Sequence, residues 1–194
     1  MAEARERTID YFELWQEKMF LGEEFLTWLW LCSEIDSGFA ADGGPKVEIW
    51  FENSLKLQSG QGPSKRSVTC QNAGKENGTE WPEAFTAVMK NKKVMNGRLR
   101  IKSEEREWSL ALPADTLCPK SAKLMAGAEF KDDEDGKLSK VGALLDRVVY
   151  YTELTGTIEA LLSMFLKLRL SPEWASEELP RLRAWVARWT REEG

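Results

Sequence analysis

The sequence predicts an α+β domain: an antiparallel sheet of about four strands between residues 47 and 112, flanked by N-terminal helices, a long C-terminal helix and a final short helix. Three observations carry this. VEIWFE (47–52) and the facing segments RLRIK and REWSL alternate apolar and polar side chains with the period of two that a half-buried strand requires. Apolar residues up to Cys32 recur at helical spacing. Leu144, Val148, Tyr151, Thr155, Ile158, Leu162 and Phe165 recur at alternating steps of four and three, the mark of a long amphipathic helix. A chain of 194 residues suits one hydrophobic core, so residues 1–194 are expected to form a single domain.

Taken in order, Tyr11, Leu14 and Trp15, then Leu21, Phe25, Trp28, Leu29 and Cys32, describe two short helices or one that bends near Gly22. Leu26 and Trp30 fall off the main stripe and leave a narrow polar edge of Glu23, Thr27 and Glu34, so this helix is expected to be buried nearly all round. Glu23 and Glu24 are expected at the positive end of its dipole. Glycines and Pro45 make 36–46 a loop. Val47, Ile49 and Phe51 then share one strand face and Glu48, Trp50 and Glu52 the other. Leu55 with Leu57, and Val68 with Cys70, give one or two further strands around the polar loop at 58–65, and a second polar loop follows at 71–80. Pro82 suits the first turn of a short helix that presents Phe85, Val88 and Met89.

RLRIK and REWSL pair as a hairpin about Glu104 and Glu105. Placing Ile101 opposite Trp108 and Leu99 opposite Leu110 also brings Lys102 to Glu107, so a single register satisfies both the apolar face and a charge pair. Beyond an acidic loop at 127–138, a helix from about Lys140 to Leu170 would span ~45 Å at its 1.5 Å rise, with Gly142 and Gly156 as points where it could break. Ser171 and Pro172 read as an N-cap and first-turn proline for the last helix, whose stripe is Leu179, Leu182, Trp185, Val186 and Trp189.

The charge balance, 27 basic against 32 acidic residues and a net −5, argues against a generally basic nucleic-acid coat, so any polyanion site must be local. The longest uncharged apolar run near the N-terminus, FLTWLWLC, is too short for a membrane span, and no secretory leader is read. Three cysteines without a CxxC pair suit a reducing cytoplasm, with association with the nucleoid as a further expectation. The absence of histidine removes the commonest general base and every histidine-containing zinc site. No catalytic residue, metal or cofactor is expected.

Each candidate site competes with a plainer reading. Aligning Gly136 of KDDEDGK with the glycine of a calcium loop puts Lys131 at the first ligand position and Gly142 at the last, so this is read as a solvated loop. Glu48, Glu52 and Asp115 have no spacing that supports a magnesium-dependent nuclease. Residues 85–102 hold six cations, Lys90, Lys92, Lys93, Arg98, Arg100 and Lys102, and no acid. Alternation puts Arg98, Arg100 and Lys102 on one face, a stripe suited to phosphate contacts, although long cations are also the ordinary covering of a wet sheet face. Of the nine tryptophans, Trp30, Trp50 and Trp189 are weighed as base-stacking platforms, with core or subunit contact the preferred role for all nine. Asn77-Gly78-Thr79 matches a glycosylation sequon that carries no meaning without secretion. The series Leu144, Val148, Tyr151, Ile158, Leu162 and Phe165 is the candidate seam for a homodimer, because a helix this long would overhang a domain of ~16 Å radius of gyration.

FLGEEFLTWLWLCSE (20–34), with the later EREWSLAL and ALLSMFLKLRLSPEW, resembles the recombination-associated protein RdgC family in its longer bacterial members. The resemblance covers most of residues 20–185 and falls on the segment that follows the ring-forming part of those members, a part for which no counterpart is read in this sequence. It implies a DNA-associated accessory protein of little sequence preference, with no catalytic residue. The ring and its DNA-lined hole do not carry over residue by residue. The alternative is a protein-interaction or oligomerisation module that makes no DNA contact.

Overall fold

A strand that alternates apolar and polar residues needs a cover for one face only, and in this chain helices supply it. The computed structural model describes residues 18–40, 46–59, 66–71, 82–90, 92–104, 106–124 and 137–189. The helical stretch expected at Tyr11, Leu14 and Trp15, the expected loops where they cover 60–65 and 72–80 with the Asn77 sequon, the expected acidic loop at 132–136 and the side chain of Trp189 lie outside them. The order is α1 (Lys18–Ile35), β1 (Gly38–Ala40), β2 (Lys46–Ser59), β3 (Arg66–Gln71), α2 (Pro82–Met89), β4 (Lys93–Lys102), β5 (Glu107–Pro113), β6 (Lys120–Leu124) and α3 (Lys137–Arg169). A π-helical turn, Trp174–Glu178, then leads into α4 (Leu179–Trp189).

The chain is α+β as expected, with six described strands rather than about four. All pairings are antiparallel: β4 takes one edge of the long β2, β1 and β3 share its other edge, and β5 and β6 continue the sheet beyond β4. The two additional strands, β1 and β6, have no alternating apolar stripe. Their backbone pairing comes from the adjoining strands, β1 folding back on β2 and β6 on β5, in keeping with the context dependence of strand formation. The hairpin adopts the expected register, with Ile101 opposite Trp108, Leu99 opposite Leu110 and Lys102 opposite Glu107. Val47, Ile49, Phe51, Leu55, Leu57, Leu99, Ile101, Trp108, Leu110 and Leu112 form the buried inner face. At the β2–β4 slip between Phe51 and Leu55, the Phe51 ring lies on Gly97, where a Cβ would come within 2.5 Å of the ring.

Helix α1 is buried nearly all round: Phe25, Leu26, Trp28, Leu29, Trp30 and Leu31 all belong to the core. It runs through Gly22 without a break. The glycine serves packing, since a Cβ there would sit 1.9 Å from the Ala114 carbonyl oxygen, at the turn after β5. Because the chain is already helical at Lys18, Glu23 and Glu24 lie beyond the first turn, and the dipole role expected of them does not hold.

Helix α3 continues for 33 residues through both Gly142 and Gly156, which at 1.5 Å per residue is about 50 Å. Its C-terminal half buries Leu154, Ile158, Leu161 and Phe165, while Leu144, Leu145, Val148, Val149 and Tyr151 are exposed. Between these regions Tyr150 is buried, its ring 5.8 Å from that of Trp108 and its hydroxyl donating to the Lys123 carbonyl at 2.8 Å. Phe165 joins the layers through Phe25 (5.7 Å), Trp28 (5.4 Å) and Trp174 (5.7 Å). Ser171 stands directly before Pro172, the first residue of the next helical stretch, as expected of a cap and a first-turn proline, but its hydroxyl donates back to the Leu168 carbonyl at 2.9 Å and closes the end of α3. Among the described residues no helix is long and apolar enough to cross a membrane.

Candidate nucleic-acid interface

Adjacency in sequence put six cations in one block, and the fold divides them between two faces. Lys93 Nζ lies 3.5 Å from Glu24 Oε1 on α1, which places it on the helical side of the sheet. Lys92 lines a groove on that side, and Lys90 is exposed in the turn after α2. Arg98, Arg100 and Lys102 alternate with buried Leu99 and Ile101, so they occupy the opposite, outer face.

One end of the outer face is internally neutralised. Arg100 Nη1 lies 3.8 Å from Glu52 Oε1, its Nε is paired with Glu107 Oε1, and the Ser109 hydroxyl donates to Glu52 Oε2 at 3.4 Å. Strand register sets Lys102 between Glu48 and Glu107. The other end differs. Arg98 sits opposite Ala111, which pairs with Lys120, and Lys56 pairs with Asn96; Lys123 stands beside the neutralised row, opposite Ser109, which itself faces Arg100. Among the described residues, Arg98, Lys56, Lys120 and Lys123 form no ion pair, and the three lysines are exposed. Lys56 could have been found from its place between Leu55 and Leu57. Lys120 and Lys123 could not, because KSAKL carries no strand pattern. Trp50, opposite Arg100, is half-buried on this face, outside the core but still open to the subunit contact that was the other role preferred for it, whereas Trp30 is fully buried and cannot stack on a base.

A groove of about 660 Å³ opens on the helical side, between α1, the α2–β4 junction, the π turn and α4. Glu178, in the π turn, ties its walls together. It accepts hydrogen bonds from Trp28 Nε1 at 2.9 Å and Cys32 Sγ at 3.5 Å on α1, and its carboxylate is paired with Arg181 at 2.8 Å. Burial pushes the Glu178 carboxyl up, but the hydrogen bonds from Arg181 and Trp28 outweigh this and hold it below its ordinary value. Cys32 is pushed up to about 12, first by burial and then by the Glu178 charge, so it is a thiol at neutral pH.

The candidate dimer seam also divides. Leu144, Val148 and Tyr151 are exposed, while Ile158 and Phe165 are in the core and Leu162 is half-buried against it. Among the described residues no three histidine, cysteine or carboxylate side chains are grouped as a metal site would require. Comparison of the chain with protein-family models, curated proteins and solved structures finds no match.

Proposed function

We propose that this chain is a non-enzymatic, DNA-associated accessory module that holds nucleic acid by its phosphates, without reading sequence, on the outer face of the sheet. The observation that carries the reading is the group Arg98, Lys56, Lys120 and Lys123, set on one exposed face without carboxylate partners among the described residues, in a chain of net charge −5. Long cations spread over a sheet contact phosphates and give affinity without sequence preference. The resemblance of FLGEEFLTWLWLCSE to the segment after the ring-forming part of RdgC proteins supports the same reading. Incubating the protein with labelled single- and double-stranded DNA, with and without magnesium, tests it. A retarded, intact band is expected, whereas cleavage or the absence of any shift at low salt would contradict the proposal.

A second reading, that the chain self-associates, is favoured by α3. Leu144 (61% exposed), Leu145 (60%), Val148 (55%), Val149 (46%) and Tyr151 (45%) lie along one side of its N-terminal half as an exposed apolar surface. At roughly 100 Å² each they approach the largest apolar patch a typical monomer leaves wet, and a two-fold pairing would bury about 1,000 Å², the lower bound for a specific interface. Sedimentation equilibrium at micromolar concentration is expected to give twice the 22.1 kDa chain mass. Leu144→Glu with Val148→Glu should restore the monomer with its helical spectrum intact; a wild-type chain that stays monomeric at every concentration rejects this reading.

A further inference from the structure

The groove on the helical side is built unlike the sheet face. Its floor is apolar, with Trp28 and Leu31 from α1 and Leu182 and Val186 from α4, and Met89 stands 57% exposed at its edge. Among the described residues that line it, the walls carry Lys92, Lys93, Arg169 and Arg183 against one carboxylate, Glu24. These described lining residues, four cations and one anion, sum to +3, in a chain whose net charge is −5. Glu24 fixes two of those cations, Lys93 at 3.5 Å and Arg169 at 3.0 Å, and Arg169 is also held 5.2 Å above the Trp174 ring. Glu24 therefore holds two of the four cations in place. The π turn, a local widening of the helix found often at functional sites, contributes Trp174 to the lining and is anchored to α1 by Glu178.

We infer that this groove binds a short acidic peptide segment of a partner protein, its carboxylates held by Lys92, Lys93, Arg169 and Arg183 and one large apolar side chain seated on the Trp28–Leu182 floor. Charge complementarity selects the acidic segment. The recessed apolar floor selects the anchor, which a phosphate backbone lacks. A cavity of about 660 Å³ lies within the range of small-ligand clefts, so it takes a few residues and not a folded domain. Exposed Met89 is a flexible side chain that can re-pack around the anchor.

The test is fluorescence anisotropy with the full chain and a labelled peptide of aspartates ending in phenylalanine, alongside the same peptide ending in alanine. Binding is expected for the first, and a loss of about tenfold or more for the second or for Lys92→Glu with Arg183→Glu, as for a removed anchor or a reversed charge. Arg188→Glu changes net charge on α4 outside the groove and should leave binding within about twofold. Met89→Glu, at an exposed position, provides a second variant that should also weaken binding. Equal binding of the two peptides, or undiminished binding in the correctly folded groove variants, overturns the inference. So does displacement of the peptide by an oligothymidylate that fails to bind the Lys92→Glu/Arg183→Glu protein, which would assign the groove to nucleic acid.

Discussion

Gly22→Ala is expected to destabilise the chain by about 3 kcal/mol or more, the upper range for forcing extra atoms into a packed interior. The added methyl would sit 1.9 Å from the Ala114 carbonyl oxygen and 3.0 Å from its carbon. Both are backbone atoms, and Ala114 is itself fixed by its N–H donating to the Met95 carbonyl at 2.9 Å. Relief would require α1 to lift from the sheet, and with it the core contacts of Phe25 and Leu29. For a domain of this length the change corresponds to a fall in Tm of about 6–12 °C. The same substitution at Gly156 should have the opposite sign, because nothing lies within 4 Å of the added Cβ and alanine is favoured over glycine in a helix by about 1 kcal/mol. Urea titrations of both variants check the pair. A Gly22→Ala cost below about 1 kcal/mol would show that α1 and the Ala114 turn are not in close contact.

Phe165→Ala is the second large effect, at about 3–5 kcal/mol, the usual cost of truncating a buried aromatic. Phe165 is 0% exposed and holds three aromatic neighbours from α1 and the π turn. The residue was a candidate for a dimer seam on sequence spacing, and the two roles predict different results. A core residue lowers the denaturation midpoint of the chain at every protein concentration. A seam residue would leave the monomer's midpoint unchanged and abolish only its association. The first outcome is expected, measured by urea unfolding across a range of protein concentrations.

The hairpin was legible in the sequence because the apolar face and the placing of Lys102 opposite Glu107 agree on one register, although the Glu107 carboxylate pairs with Arg100 rather than with Lys102. Helix α1 was legible as a buried element for a similar reason: too few polar positions remain around its circumference. The purpose of Gly22 was hidden, since the atom that demands it belongs to Ala114, far along the chain. Gly142 and Gly156 suggested breaks in α3, yet each costs only about 1 kcal/mol against the cooperative propagation of a helix already nucleated and packed along its C-terminal half. The six-cation block misled because it spans the start of β4: Lys93 reaches α1, whereas Arg98 faces away from it. The cations that join Arg98 come from β2 and β6, and no local pattern relates Lys56 to Lys120. The groove was equally invisible, for its π turn and the Glu178–Cys32 contact bring together residues 146 positions apart.

Salt-dependent binding tests the central proposal most directly. Anisotropy titrations of two labelled duplexes of unrelated sequence, at several salt concentrations, should give equal affinities that fall together as salt rises. In Arg98→Gln/Lys120→Gln/Lys123→Gln the affinity should drop for both duplexes, and the slope of log K against log salt should flatten by up to about 3 units, close to one for each phosphate contact removed. A correctly folded triple variant with wild-type affinity and slope would contradict phosphate binding on the sheet's outer face.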